Sequence, residues 1–234
     1  LLDLKDSTIV QKQLSIISEQ AESGTAEETE KIRDTVFALN SQQKFVLVEE
    51  AGSALSQLSS KQVSTFQKIT EALIGADNKI DLLEWSLRKV IDHDFGRQHS
   101  VSGPLHGRAS IRNRLSECMV ILGALAHYGQ DGADPKPAFE KGLRVLDRTC
   151  EAKLPPKEEC DLKDLDAAIA RLANLSPLAK RALLDACTRT IDHDQKTSDV
   201  EIQILRGLAA SISCPLGPSI LPESVTVASA IQGE

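Results

Sequence analysis

An all-α fold, a helical bundle containing two helix-turn-helix repeats, follows from three observations. Aromatic residues number only seven in 234 (one Trp, one Tyr, five Phe), and runs rich in β-branched residues are absent. Apolar side chains recur at intervals of three and four, the period that lines one face of a helix. The segment Leu55–Ile91 also returns as Leu172–Leu208, 117 positions later and without a gap. Seven of its 37 positions are identical: Leu55/Leu172, Leu58/Leu175, Ser59/Ser176, Ile74/Ile191, Asp77/Asp194, Lys79/Lys196 and Glu84/Glu201. Chance alignment gives about two. Apolar pairs follow at Phe66/Leu183, Ile69/Ala186, Leu83/Val200, Leu87/Ile204 and Ile91/Leu208. Repetition of this kind sets the organisation of a chain before any local motif does.

The first forty residues are polar and helical, with a break at Ser23-Gly24-Thr25. Thr25 and Glu28 have capping-box spacing, and Ile32, Val36 and Leu39 then recur at helical intervals. A further helix is expected over Gln42–Leu58, leading into the first repeat. Between the repeats, Ile111, Leu115, Cys118, Leu122 and Leu125 make a 3.6-period stripe that ends at Gly129. Gln130–Pro137 is a loop of Asp, Gly and Pro, and another helix is expected from Phe139 to about Ala152. Leu154-Pro155-Pro156-Lys157 reads as the boundary between two halves. After the second repeat, the Cys214–Pro218 run stops the helix, because proline lacks the amide donor and clashes with the preceding turn.

Composition excludes several functions. A net charge of −7 with no basic patch disfavours nucleic-acid binding, which needs clustered Lys and Arg against phosphates. The apolar run Met119–Tyr128 is far shorter than the ~20 residues of a spanning helix, and Pro215 and Pro218 interrupt Gly207–Pro222. No membrane insertion and no signal peptide are therefore expected. Five cysteines, Cys118, Cys150, Cys160, Cys187 and Cys214, read as reduced thiols, with Cys118 and Cys187 on apolar helix faces. A Cys150–Cys160 bridge would require the Pro155-Pro156 loop to fold back.

The repeated turn carries the chain's most suggestive chemistry. Asp81 to Glu84 and Ser198 to Glu201 both have capping-box spacing, so the four residues are expected to be structural caps at helix amino ends. The alternative is a divalent-cation site, since Asp77, Asn78, Asp81 and Glu84 are all oxygen donors. That spacing is too short for an EF-hand loop, and the second turn offers Gln195, Thr197 and Ser198 instead of charged ligands. Ile-Asp-His-Asp occurs at Ile91–Asp94 and at Ile191–Asp194, but these lie 100 apart, off the 117 register, and so occupy different places. His93, His99 and His106 are the remaining imidazole cluster, read as solvated rather than as zinc ligands. No His-Glu-x-x-His, nucleophile elbow or phosphate-binding glycine loop is present, so no catalytic residue and no cofactor are assigned.

Ala76-Asp-Asn-Lys-Ile-Asp-Leu-Leu-Glu-Trp85 and the following Ser86–Val90 resemble the TerB-like helical module of tellurite-resistance proteins. Asn78 stands where that pattern has glycine, and asparagine tolerates the left-handed conformation. The second copy has His193-Asp194-Gln195 at this turn. The run Ile80–Leu87, the segment Leu175–Cys187 and Glu201–Ala209 ending in Cys214–Pro218 are together similar to the carboxyl-terminal region of long HtpX-like bacterial membrane zinc metalloproteases. The resemblance covers residues 42–95 and 166–218.

It implies TerB-like repeats at two places. Residues 1–153 would hold the amino-terminal helices, the first repeat (core 42–95) and a following long helix pair; 154–218 would hold the second repeat, and 219–234 a loose tail. It further implies a non-catalytic regulatory or protein-interaction region on the cytoplasmic face, tethered to the inner membrane through an upstream region. Zinc would belong to the upstream endopeptidase domain, and the partner would be that domain or another protein. The chain opens on Leu1, which fits a piece of such a protein. The alternative is a free-standing TerB-like protein that binds divalent cations in a stress response.

Overall fold

The computed structural model describes residues 6–55, 57–76, 81–99, 107–129 and 133–214. Among them are ten α-helices and two short 3-10 turns, at Ile111–Arg114 and Lys157–Glu159. The described residues form no β-strand, and one isolated parallel bridge joins Ala109 to Leu175. The chain divides into two compact units, Leu1–Leu105 and His106–Glu234.

The first unit holds α1 (Ser7–Gln20), α2 (Thr25–Phe37), α3 (Ser41–Leu55), α4 (Ser60–Ile74) and α5 (Leu82–His99). Asp6 caps α1 by accepting from the Thr8 amide, and Ser59 caps α4 in a box with Gln62. The α2 start differs from the Thr25–Glu28 box expected from sequence. Gly24 is the cap, in the left-handed region at φ +91°, and no side chain bonds the free amides. Thr25 is already helical, and its carbonyl accepts from Thr29 Oγ1 at 2.7 Å. Helix α3 ends at Leu55, three residues earlier than expected, because the chain must turn before Ser59 can cap α4. Helix α1 packs on α2 and α4, α3 on α5, and α4 on α5. Phe45, Val63, Ile74, Trp85, Leu87 and Ile91 are among the buried residues of this unit's core.

The second unit holds α6 (Leu115–Gly129), α7 (Lys136–Leu146), α8 (Leu162–Leu172), α9 (Pro177–Ile191) and α10 (Asp199–Ser211). Helix α6 is its axis, packed against all four of the others, and Ile121 through Ala126 are buried without interruption. Ile111 falls in the 3-10 turn and is only half-buried, so the sealed stripe begins at Cys118. Helix α7 stops at Leu146 rather than near Ala152. Asp147 turns extended and its carboxylate accepts from both the amide and the hydroxyl of Thr149, at 2.8 and 2.7 Å, an arrangement that competes with helix.

The division falls at Leu105/His106 and not at Leu154–Lys157. The proline segment lies along α6: His127 Nε2 donates to the Pro155 carbonyl at 2.8 Å, and Lys157 Nζ sits 4.8 Å from the Tyr128 ring centroid. Cys160, just after it, is fully buried, and Gly123 leaves the room for its sulfur. Prolines marked a break in helix, not a break in packing.

The two units keep the 117 register in their helix boundaries. Helices α4 and α9 begin at Ser60 and Pro177 and end at Ile74 and Ile191, while α5 and α10 begin at Leu82 and Asp199. Buried positions match as well, at Trp85/Ile202, Ser86/Gln203, Leu87/Ile204, Val90/Gly207 and Ile91/Leu208. The correspondence runs beyond the hairpin, since α3 and α8 end at Leu55 and Leu172 and pack on α5 and α10 respectively. Helix α1 packs on α4 as α7 packs on α9. Each lends a lysine to the carbonyl end of its neighbour, Lys12 Nζ to Ala76 O at 2.7 Å and Lys141 Nζ to Asp192 O at 2.9 Å. Such groups otherwise end a helix without partners.

Candidate functional site

The turns that open α5 and α10 are built alike. Asp81 Oδ1 accepts from the Glu84 amide at 2.8 Å, while the Glu84 carboxylate accepts from the Asp81 amide at 3.2 Å. Ser198 and Glu201 make the same reciprocal pair, with the Ser198 amide donating to Glu201 Oε2 at 2.8 Å and the Ser198 hydroxyl adding a bond at 2.9 Å. Each pair satisfies amides that the first helical turn leaves open. Asp194 is occupied separately, accepting from the Lys196 amide at 3.0 Å, and Gln195 takes the left-handed region at φ +61° that lets the turn close.

The two turns differ in their surroundings. Asp81 is exposed and Glu84 half-buried, whereas Glu201 is 1% exposed. The carboxyl end of α6 abuts Glu201 at Gly129, where any side chain would collide with the carboxylate. Burial pushes the Glu201 carboxyl above its ordinary range; bonds from Ser198 oppose this, and the charges of Asp194 and Asp192 add to it.

Of the cation candidates, Asp77 and Asn78 lie outside the described residues, and Asp81 and Glu84 are joined to each other as above. Among the described residues no group of three or more His, Cys, Asp or Glu side chains converges as a metal site would. His93 is half-buried near the middle of α5, and His193 follows α9, its amide bonded to the Thr190 carbonyl at 3.3 Å. His106 lies outside the described residues.

The thiols are packing groups. All five cysteines are free; Cys118, Cys160 and Cys187 are fully buried, and Cys150 and Cys214 are half-buried. Burial pushes the Cys118 thiol up to about 12 and the Cys160 thiol to about 11, with neighbouring carboxylates adding to both, and burial raises Cys187 as well. A thiol held neutral is a poor nucleophile. Glu117 is also structural: burial raises its carboxyl, but its own amide, Ser116 and Arg171 outweigh that and hold it below the ordinary range. Arg171 Nη1 donates to it at 3.3 Å.

What sequence reasoning missed is apolar surface in the first unit. Helix α2 has no fully buried residue: Ile32, one of the apolar residues at helical spacing, is 56% exposed and Phe37 52%. Lys44 Nζ stands 5.8 Å from the Phe37 ring centroid. On α3, Val46 and Leu47 are exposed too. Val48, Leu55, Leu58 and Phe66 pack against buried Val63 and Ile91 but are themselves only partly covered. Helical spacing names a face and does not say what covers it.

Comparison of the chain with protein-family profiles, curated proteins and solved structures found no match. Among the described residues no helix is long and apolar enough to cross a membrane.

Proposed function

We propose that this chain is a non-catalytic helical region that binds another protein segment, and that its TerB-like repeats serve as a regulatory or interaction region of a membrane-bound zinc metalloprotease. One observation carries the interaction half. The first unit leaves Val48, Leu55, Leu58 and Phe66 partly open and α2 without a fully buried residue, while the second unit closes over its own axis. Apolar surface left at repeat positions that are sealed elsewhere in the same chain is the mark of a binding face. The chemistry-bearing groups support the non-catalytic half, because the buried carboxylates and thiols already serve as caps, ion pairs or core. The protease half rests on the resemblance at residues 42–95 and 166–218.

Two experiments test the non-catalytic reading and the assignment to a protease. Purified chain incubated with casein, with and without added zinc, is expected to leave the substrate intact. Chelator-sensitive cleavage that disappears in His93→Ala or His193→Ala would overturn the non-catalytic reading. The full open reading frame tests the assignment to a protease: His-Glu-x-x-His with membrane spans upstream supports it, and a start codon near Leu1 refutes it.

A further inference from the structure

The second unit has an axial helix, α6, that touches α7, α8, α9 and α10. Among the described residues of the first unit no helix takes that place. At the 117 register α3, α4 and α5 correspond to α8, α9 and α10; α1 packs on α4, and α2, packed on α1, has no fully buried residue. The consequence can be read residue by residue at the 117 register. Leu165, Leu172, Leu175 and Leu183 are 1%, 0%, 0% and 0% exposed, whereas their counterparts Val48, Leu55, Leu58 and Phe66 are only partly buried. Ala168 is buried at 4%, and its counterpart Ala51 is exposed. Ala51 shares the α3 face of Val48 and Leu55, at i+3 and i−4, so these positions border one seat.

We propose that the first unit receives an apolar helix in this seat, lying against α3, α4 and α5 as α6 lies against α8, α9 and α10. The reading rests on the interaction function above and specifies its partner. Charge narrows the occupant further. Val48, Ala51, Leu55, Leu58 and Phe66 are all apolar, so a helix against them must present an apolar face. Its carboxyl end would meet Glu84, the counterpart of the Glu201 that abuts the end of α6, with Asp81 beside it. Two carboxylates there favour a basic residue in the occupant's last turn, where the helix dipole favours one too. An acidic or polar helix does not match this chemistry.

The test uses the full chain and a labelled synthetic peptide with the Leu115–Gly129 sequence, Cys118→Ser, and added carboxyl-terminal lysines, followed by fluorescence anisotropy. Wild type is expected to bind. Ala51→Arg places a charge in the seat from an exposed position, so it should fold normally by circular dichroism and weaken binding about tenfold or more. Ala51→Glu should do the same, which separates blocking from charge repulsion between cations. Val46→Arg, on the far side of α3, should bind like wild type. No binding by wild type, or binding unchanged in both Ala51 variants, overturns the proposal, the latter meaning that the peptide sits elsewhere. A wild-type dimer that Ala51→Arg turns into a monomer also overturns it, by assigning the seat to a second copy. None of these failures touches the proteolysis result, so the two readings fall separately.

Discussion

Replacing Gly142 with alanine tests the packing that distinguishes the second unit. Helix α7 crosses α9 at this glycine. A Cβ there would collide with Thr190 Oγ1, lie 2.9 Å from the Ala186 carbonyl oxygen and 3.3 Å from Leu122 Cδ2. The obstacle cannot swing aside freely, because the Thr190 hydroxyl is fully buried and donates to Ala186 O at 3.1 Å. Overpacking of this kind costs about 1–3 kcal/mol. Alanine recovers up to about 1 kcal/mol over glycine inside a helix. The net expectation is destabilisation of about 1–2 kcal/mol, or a Tm lower by roughly 2–4 °C per kcal/mol for a chain of this length. Urea denaturation followed by circular dichroism measures it. Thr190→Ala removes the nearest atom, so the double variant should lose less than the sum of the single ones, by about 0.5–3 kcal/mol. A Gly142→Ala protein as stable as wild type, or strict additivity with Thr190→Ala, would refute the close crossing.

Three further outcomes are expected. Asp81→Ala and Ser198→Ala should each cost about 0.5–2 kcal/mol with or without calcium; a calcium-dependent rise in Tm that Asp77→Ala abolishes and Asp194→Ala spares would show ligands where caps are described. Glu201 has a folded-state pKa above its unfolded value, so its contribution is most favourable below the unfolded pKa of about 4.3 and is lost as pH rises through the folded pKa. Stability measured against pH should therefore fall less steeply between the unfolded and folded pKa in Glu201→Gln than in wild type, and an identical or steeper decline there would contradict a buried, raised carboxyl. Under native conditions a thiol reagent should modify Cys150 and Cys214 and spare Cys118, Cys160 and Cys187 until denaturant is added; rapid reaction at all five would disprove the sealed core around α6.

Much of the fold was legible because helices announce themselves through period and caps. The serine at 59 and 176 and the capping-box pairs opening α5 and α10 carried the repeat register from sequence into coordinates at single-residue precision. Boundaries failed where a local side chain or backbone conformation outcompeted the pattern. Asp147 ended α7 through its bonds to Thr149, and Gly24 displaced Thr25 as the cap of α2. The unit boundary was missed because Pro155 and Pro156 read as a linker, and only tertiary packing reveals that such a segment lies against α6. The open seat in the first unit was invisible for a stronger reason. Val48, Leu55, Leu58 and Phe66 are apolar exactly as their sealed counterparts are, so the sequence carries no sign of whether anything covers them.

Amide hydrogen exchange across the two repeats tests whether one unit is closed over an axial helix while the other leaves the matching positions only partly covered. Protection follows local burial and the free energy of local opening. The Leu165–Leu172 amides of α8 should exchange about a hundredfold more slowly than the Val48–Leu55 amides of α3, a gap of about 2.7 kcal/mol. Equal protection in the two segments, or slower exchange in α3, would contradict it.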